Sequence, residues 1–211
     1  MTAISQKENN MSKYNMYVED VSVEALLNKL GGVEGAKRFL RDELMLSEAV
    51  AKQLLQRLST TIAVPAMTQF IAKDNFVINK SKNAKVKISF LGDNFKANFL
   101  QKIESEEVAA EELVVNKLLE NSFDPAIITA LGGEAKVEIA LGQFFAAFAK
   151  QPKGEDGPLL TNGYANVGYI RDIKGVLWAV SGDWDDDGWR FSADPLGHPN
   201  YWRGGGQFFS R

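Results

Sequence analysis

Four tryptophans, Trp178, Trp184, Trp189 and Trp202, fall within 25 residues of the last quarter of this chain, in stretches that alternate with the period of a β-strand. Val176, Trp178, Val180 and Trp184 share one face of such a strand, while Leu177, Ala179, Ser181 and Asp183 share the other. The pattern predicts strands over 164–171, 176–184 and 189–193, joined by the turns Asp172-Ile173-Lys174-Gly175 and Asp185-Asp186-Asp187-Gly188. Together they make an antiparallel meander, with Phe208 to Arg211 available as a last strand. Tryptophans in a small sheet serve either as its core, the commoner use, or as the lining of a sugar or peptide groove. Trp178, Trp184, Trp189 and Trp202 are therefore the candidate ligand-binding residues, with Trp184, Trp189 and Trp202 as anchors.

The first two thirds read mainly as helix. Residues 1–12 form a polar tail, 14–18 a short strand, and Ser22 caps a helix over 23–30 that Gly31 and Gly32 end. From Val33 to about Leu58, Leu40, Leu44, Ala51, Leu54 and Leu58 recur at helical steps, so a long amphipathic helix is expected there. Pro65 closes it, leaving 60–70 as a connection or broken helix. Ser105, with Glu106, Glu107, Glu111 and Glu112 behind it, opens a further helix through Leu119. Those glutamates suit a helix start better than an acid and base pair. Asp124-Pro125 opens a short helix that ends at Leu131-Gly132-Gly133. Residues 136–140 read as a strand and 142–150 as a helix burying Phe144, Phe145 and Phe148, with one continuous helix as the alternative.

Between these helices the period changes. Val86, Ile88 and Phe90 alternate with Lys85, Lys87 and Ser89, and Phe95, Ala97 and Phe99 alternate with Lys96 and Asn98 across the turn Leu91-Gly92-Asp93-Asn94. This predicts a β-hairpin whose outer face carries Lys85, Lys87 and Lys96, with Lys80, Lys82 and Lys102 flanking it. Such a face could bind anions or nucleic acid, but no arginine or exposed aromatic interleaves for base contact, so lysines guarding a sheet edge are the preferred interpretation.

The turn Asp183-Trp184-Asp185-Asp186-Asp187-Gly188 has the D-x-D-x-D-G spacing of a calcium loop, with Asp194 at its twelfth position. Asp183, Asp185, Asp187 and Asp194 are the candidate metal ligands and calcium the candidate cofactor. Strand-forming flanks, and Arg190 where such loops carry an apolar residue, favour an ordinary hairpin turn instead. The chain has no cysteine and one histidine, His198, which excludes disulfides, thiolate chemistry and a multi-histidine metal site. No serine sits in a nucleophile-elbow context, and no catalytic residue is assigned. No apolar run approaches a membrane span and no leader segment precedes the fold, so a cytoplasmic protein without membrane association is expected.

Leu30-Gly31-Gly32-Val33-Glu34-Gly35-Ala36-Lys37-Arg38-Phe39-Leu40-Arg41, with 160–166 and Trp202-Arg203-Gly204-Gly205-Gly206-Gln207-Phe208-Phe209-Ser210-Arg211, resembles small uncharacterised bacterial proteins. The resemblance covers about a third of the chain, implies a bacterial origin and carries over no activity. The expected architecture is α+β: a tail over 1–12, a helix-rich region with a β-hairpin over 13–150, and a Trp-rich antiparallel β unit over 151–211 packed on it. The expected function is non-enzymatic binding of a protein or small ligand through the Trp-rich unit, alone or within a larger assembly. Nucleic-acid or anion binding through 80–102, and metal-dependent catalysis at the acidic turn, are the alternatives.

Overall fold

The computed structural model describes residues 27, 30–41, 53–105, 107–197 and 201–211, in two compact units, Met1–Ala51 and Lys52–Arg211. The expected tail, the strand over 14–18, nearly all of the helix over 23–30, and His198 lie outside the described residues. In the first unit, helix α1 (Gly32–Leu40) follows Gly31, whose φ of 84° only glycine adopts without strain. An exposed Glu34–Lys37 pair at 2.7 Å spans one turn of it.

The second unit is α+β. Its strands are β1 (Leu55–Val64), β2 (Phe70–Ile71), β3 (Ile88–Leu91), β4 (Ile103–Glu104), β5 (Glu111–Leu118), β6 (Asn166–Arg171), β7 (Leu177–Asp185), β8 (Gly188–Pro195) and β9 (Gln207–Ser210). Its helices are α2 (Ala72–Asn75), α3 (Asp93–Asn98), α4 (Asp124–Ala130), α5 (Glu134–Val137) and α6 (Leu141–Phe148). Seven strands form one mixed sheet in the order β1-β5-β9-β6-β7-β8-β3, and β2 and β4 pair separately. The meander β6-β7-β8 is antiparallel, as its alternation requires. Two parallel pairings complete the sheet: β9 enters between β5 and β6, parallel to β6, and β3 runs parallel to β8 at one edge. Strands from before and after residue 150 are thus interleaved in one sheet.

Both faces of the sheet are buried. On one, Val115, Val180, Phe191 and Phe209 pack against the phenylalanines of α6 and against Phe76, Phe95 and Phe99. On the other, Leu118, Val167, Tyr169, Ala179 and Phe208 meet Ile127 of α4 and Val137 of α5. Helix α6 is buried along almost its whole length, as its all-apolar surface demands. Carboxylate oxygens of Glu104 accept hydrogen bonds from the first amides of α6, Leu141 and Gly142, both at 2.9 Å.

Several sequence expectations are corrected. Residues 95–99 do not form the second arm of a hairpin. Phe95 and Phe99 are both buried four residues apart, with rings stacked at 5.6 Å, whereas Ala97 is exposed; the spacing is that of helix α3. The glutamate-rich segment is strand β5, because Leu113, Val115, Asn116 and Leu118 are buried on two faces between β1 and β9. Of the helix expected from Val33 to about Leu58, the first part is α1, 42–52 lie outside the described residues, and Leu55 to Leu58 belong to β1. The β-branched run Thr60-Thr61-Ile62-Ala63-Val64 continues that strand where a connection was expected. Residues 136 and 137 close helix α5, and only Glu138 makes a strand-like bridge, to Tyr169. The helix at Asp124, its Gly132-Gly133 stop and the Phe-bearing helix α6 are found as expected. Among the described residues no helix is long and apolar enough to cross a membrane.

Candidate functional site

Beside the starts of β6 and β9 lies a cleft of about 260 Å³ lined by Gly163, Tyr164, Ala165, Tyr201, Trp202, Arg203, Gly206 and Phe208. A β-bridge between Ser122 and Trp202 holds its outer wall to the segment that precedes α4. The Trp202 ring is fixed from below: its Nε1 donates to Asp124 Oδ1 at 2.7 Å, and it meets Phe208 edge-on at 5.8 Å. The same Asp124 oxygen accepts the Tyr169 hydroxyl at 2.9 Å. Asp124 and Tyr169 are buried, and burial together with the adjacent carboxylate pushes the Tyr169 phenol far above its ordinary pKa. A pre-set indole wall of this kind loses little freedom when something binds against it.

The rim is exposed. Tyr201 is 54% and Tyr164 41% accessible, and Phe123, 49% accessible, stands edge-on to Tyr201 at 6.3 Å. Tyr164 lies over Gly205, where a Cβ would come within 2.9 Å of the ring and φ is 106°, so a glycine is required beneath the tyrosine. Gly204 donates to Asn121 and Gly205 to Leu118, which ties this glycine turn to the loop after β5. The Arg203 guanidinium is exposed and has no ion pair among the described residues. Aromatic faces beside a cation offer dispersion, stacking and charge.

The four sequence-selected tryptophans do not form one site. Trp189 is fully buried and its Nε1 donates to the Gln151 carbonyl at 2.8 Å. Trp178 stands edge-on to Phe99, and its Nε1 donates to Asp172 at 3.1 Å. Trp184 packs edge-on against Trp189 at 5.2 Å, with Lys87 Nζ 5.8 Å above its ring. These three belong to the α6 side of the sheet and Trp202 to the opposite side. Burial opposes ionisation of Asp172, yet the Val176 and Lys174 amides and the Trp178 indole hold its carboxyl below the usual carboxylate range.

The acidic turn and the lysine segment face each other. Asp186 and Asp187 form a two-residue turn between the paired residues Asp185 and Gly188. Asp183 forms a salt bridge with Arg190, and Lys80 reaches Asp187 at 2.8 Å, raising the lysine pKa and lowering that of the aspartate. Lys87 contacts the Asp186 carbonyl at 3.4 Å. Asp194 pairs with Ala179, six rungs from the turn and about 20 Å away along the strands. Among the described residues no three His, Asp or Glu side chains converge to hold a metal. Lys96 pairs with Asp93 at 2.9 Å and Lys102 lies 3.9 Å from Glu104, so the lysines are dispersed, with Lys82 and Lys85 exposed in the loop. A second open cleft of about 490 Å³, bounded by Lys80, Ser89, Phe90, Asp183, Asp185, Arg190 and Ser192, therefore presents opposite charges already matched to each other.

Asp124, Tyr164, Tyr169 and Tyr201 are not marked as site residues by any pattern in the sequence, and the Arg203-Gly204-Gly205-Gly206 run reads there as a turn more readily than as a phosphate or RNA site. Their partners lie as far as 78 residues apart, as Trp202 and Asp124 do, and no local spacing announces them. No family model, no curated protein and no solved structure matches this chain.

Proposed function

We propose that this chain is a non-enzymatic binding protein that works through the aromatic cleft at Trp202. The observation that carries this is the combination of a locked indole wall, two exposed tyrosines and an exposed guanidinium without an ion pair among the described residues, around one concave surface. Tyr, Trp and Arg dominate the energetics of recognition surfaces, because they bury much area at little entropic cost. The fitting partner presents an apolar or ring face next to a negative group, as an acidic peptide or an acidic oligosaccharide does.

Nucleic-acid or anion binding through 80–102 is the weaker reading, since Lys80, Lys96 and Lys102 each have an acidic neighbour. Metal-dependent chemistry at the acidic turn is weaker for the same reason, with Arg190 and Lys80 on two of its carboxylates.

The test uses panels of acidic peptides and acidic oligosaccharides, read by tryptophan fluorescence and by thermal shift on the full chain. Tyr164→Ala, Tyr201→Ala and Arg203→Ala each alter an exposed side chain and leave Trp202 in place. Binding to the wild type that falls about tenfold or more in these variants, with unchanged circular dichroism, supports the proposal, since losses above about 1.4 kcal/mol mark true anchors. Binding that the triple variant retains in full sinks it.

A further inference from the structure

Asn162 and Gly163 form the single Asn-Gly pair in the chain, in an exposed loop just before β6. Gly163 has φ of 83° and open space where a side chain would stand. Among the described residues the Gly163 amide donates no hydrogen bond. Asn162 Oδ1 accepts the Tyr164 amide at 3.4 Å, which folds the side-chain carboxamide back over the following backbone and polarises its carbonyl.

We propose that Asn162 is a site of spontaneous deamidation, a chemical clock at the rim of the aromatic cleft. The Gly163 amide nitrogen, after losing its proton to hydroxide, attacks Asn162 Cγ. A nitrogen–carbon bond forms, the side-chain carbon–nitrogen bond breaks, and ammonia leaves with a proton from water. The five-membered succinimide that results is opened by water at either carbonyl, giving aspartate or isoaspartate. The net change replaces an amino group by a hydroxyl that then ionises, and no oxidant, reductant or cofactor takes part.

Three other asparagines among the described residues lack this freedom. Asn166 is fully buried, with its side chain bonded to Leu160 and Gly182. Asn116 is buried and bonded to Phe208 and Ser210. After Asn121 the attacking amide would be that of Ser122, which is already held by the Trp202 carbonyl at 3.1 Å. The product at 162 sets a new carboxylate next to Gly163 and Tyr164, which line the same cleft as Arg203. The isoaspartyl form also lengthens the backbone there by one methylene. The chemistry stands whether or not the cleft binds a ligand.

The full chain, kept folded at neutral and at mildly alkaline pH, is followed by intact mass and by peptide mapping with fragmentation that separates aspartate from isoaspartate. The expected result is a gain of one mass unit at residue 162, both isomers, faster conversion at the higher pH, and none at that position in Asn162→Gln. Circular dichroism of the aged sample confirms that conversion precedes any unfolding. Asn162 that stays intact in the folded chain while a urea-unfolded sample converts overturns the proposal, as does conversion that appears first at another asparagine.

Discussion

Gly182→Ala tests how tightly the α6 side of the sheet is packed. Gly182 sits in β7 opposite Asn166 and Phe191. A Cβ built there falls 2.3 and 2.4 Å from two ring atoms of Phe148 and 3.0 Å from Phe191. Ordinary carbon contacts lie near 3.5–4.0 Å, so Phe148 must retreat by about 1 Å or more. It has nowhere to go: the ring is fully buried, edge-on to Trp189 at 4.7 Å and to Phe191 at 4.9 Å, and tilted on Phe144 at 4.7 Å. Overpacking of this kind costs about 1–3 kcal/mol. The lost freedom of glycine in the unfolded chain returns about 0.4–1 kcal/mol, because φ at residue 182 is not in the left-handed region. With the middle of each range the net loss is about 1.3 kcal/mol, or about 3–5 °C in Tm for a unit of this size. Urea titration followed by tryptophan fluorescence and circular dichroism measures it. Phe148→Leu, destabilising alone, should cost less in the Gly182→Ala background, a favourable coupling in a double-mutant cycle. A Gly182→Ala variant as stable as the wild type, or additive effects in the cycle, refutes the packing argument.

Two pH-dependent effects follow from buried or hydrogen-bonded groups. Burial raises the Tyr169 pKa above the unfolded value of about 10, so the unfolded chain releases that proton first and stability falls as pH rises beyond about 10. Tyr169→Phe should cost about 1–3 kcal/mol at neutral pH through the lost bond to Asp124, and should flatten the alkaline decline; parallel alkaline curves for both proteins would contradict this. The Asp172 carboxyl has its pKa lowered in the fold, so the stability it contributes is present above the ordinary carboxylate value of about 3.9 and is lost as pH falls below it. Asp172→Asn should make the acid limb of the urea-midpoint profile shallower, and an unchanged acid limb excludes that role.

The sequence was most legible where local pattern and tertiary burial agree. Strict alternation with turn residues at both ends located β6, β7 and β8 to within a residue or two. The three phenylalanines of α6 and the glycine stop after α4 were equally plain. Errors came where one pattern fits two periods. Phe95, Ala97 and Phe99 alternate as a strand would, yet Phe95 and Phe99 also stand one helical turn apart, and burial of that pair alone decided for the helix. Glu111 and Glu112 resemble a helix start, but Thr61 donates to Glu112 and Gln143 to Glu111, partners that exist only once β1 and α6 are in place.

The candidate site was legible only in part. Trp202 was named, but three other tryptophans of the same apparent promise have their indoles packed on the α6 side of the sheet. The two charged motifs were read as independent offers to a ligand, one anionic and one cationic. In the fold, Lys80 pairs with Asp187 and Lys87 contacts the Asp186 carbonyl, so part of each motif's charge is met by the other.

By itself the sequence determined the strand and turn content of the last third, the hydrophobic stock for a two-sided core, and the exclusion of thiol and multi-histidine chemistry, because period, turn propensity and composition act over a few residues. Only the tertiary structure decided that β9 enters between β5 and β6, that Asp124 and Tyr169 fix Trp202, and that Tyr164, Tyr201 and Arg203 share a cleft with it. Those contacts join residues far apart in the chain, and what selects them is the burial and hydrogen bonding available once the sheet has closed on both faces.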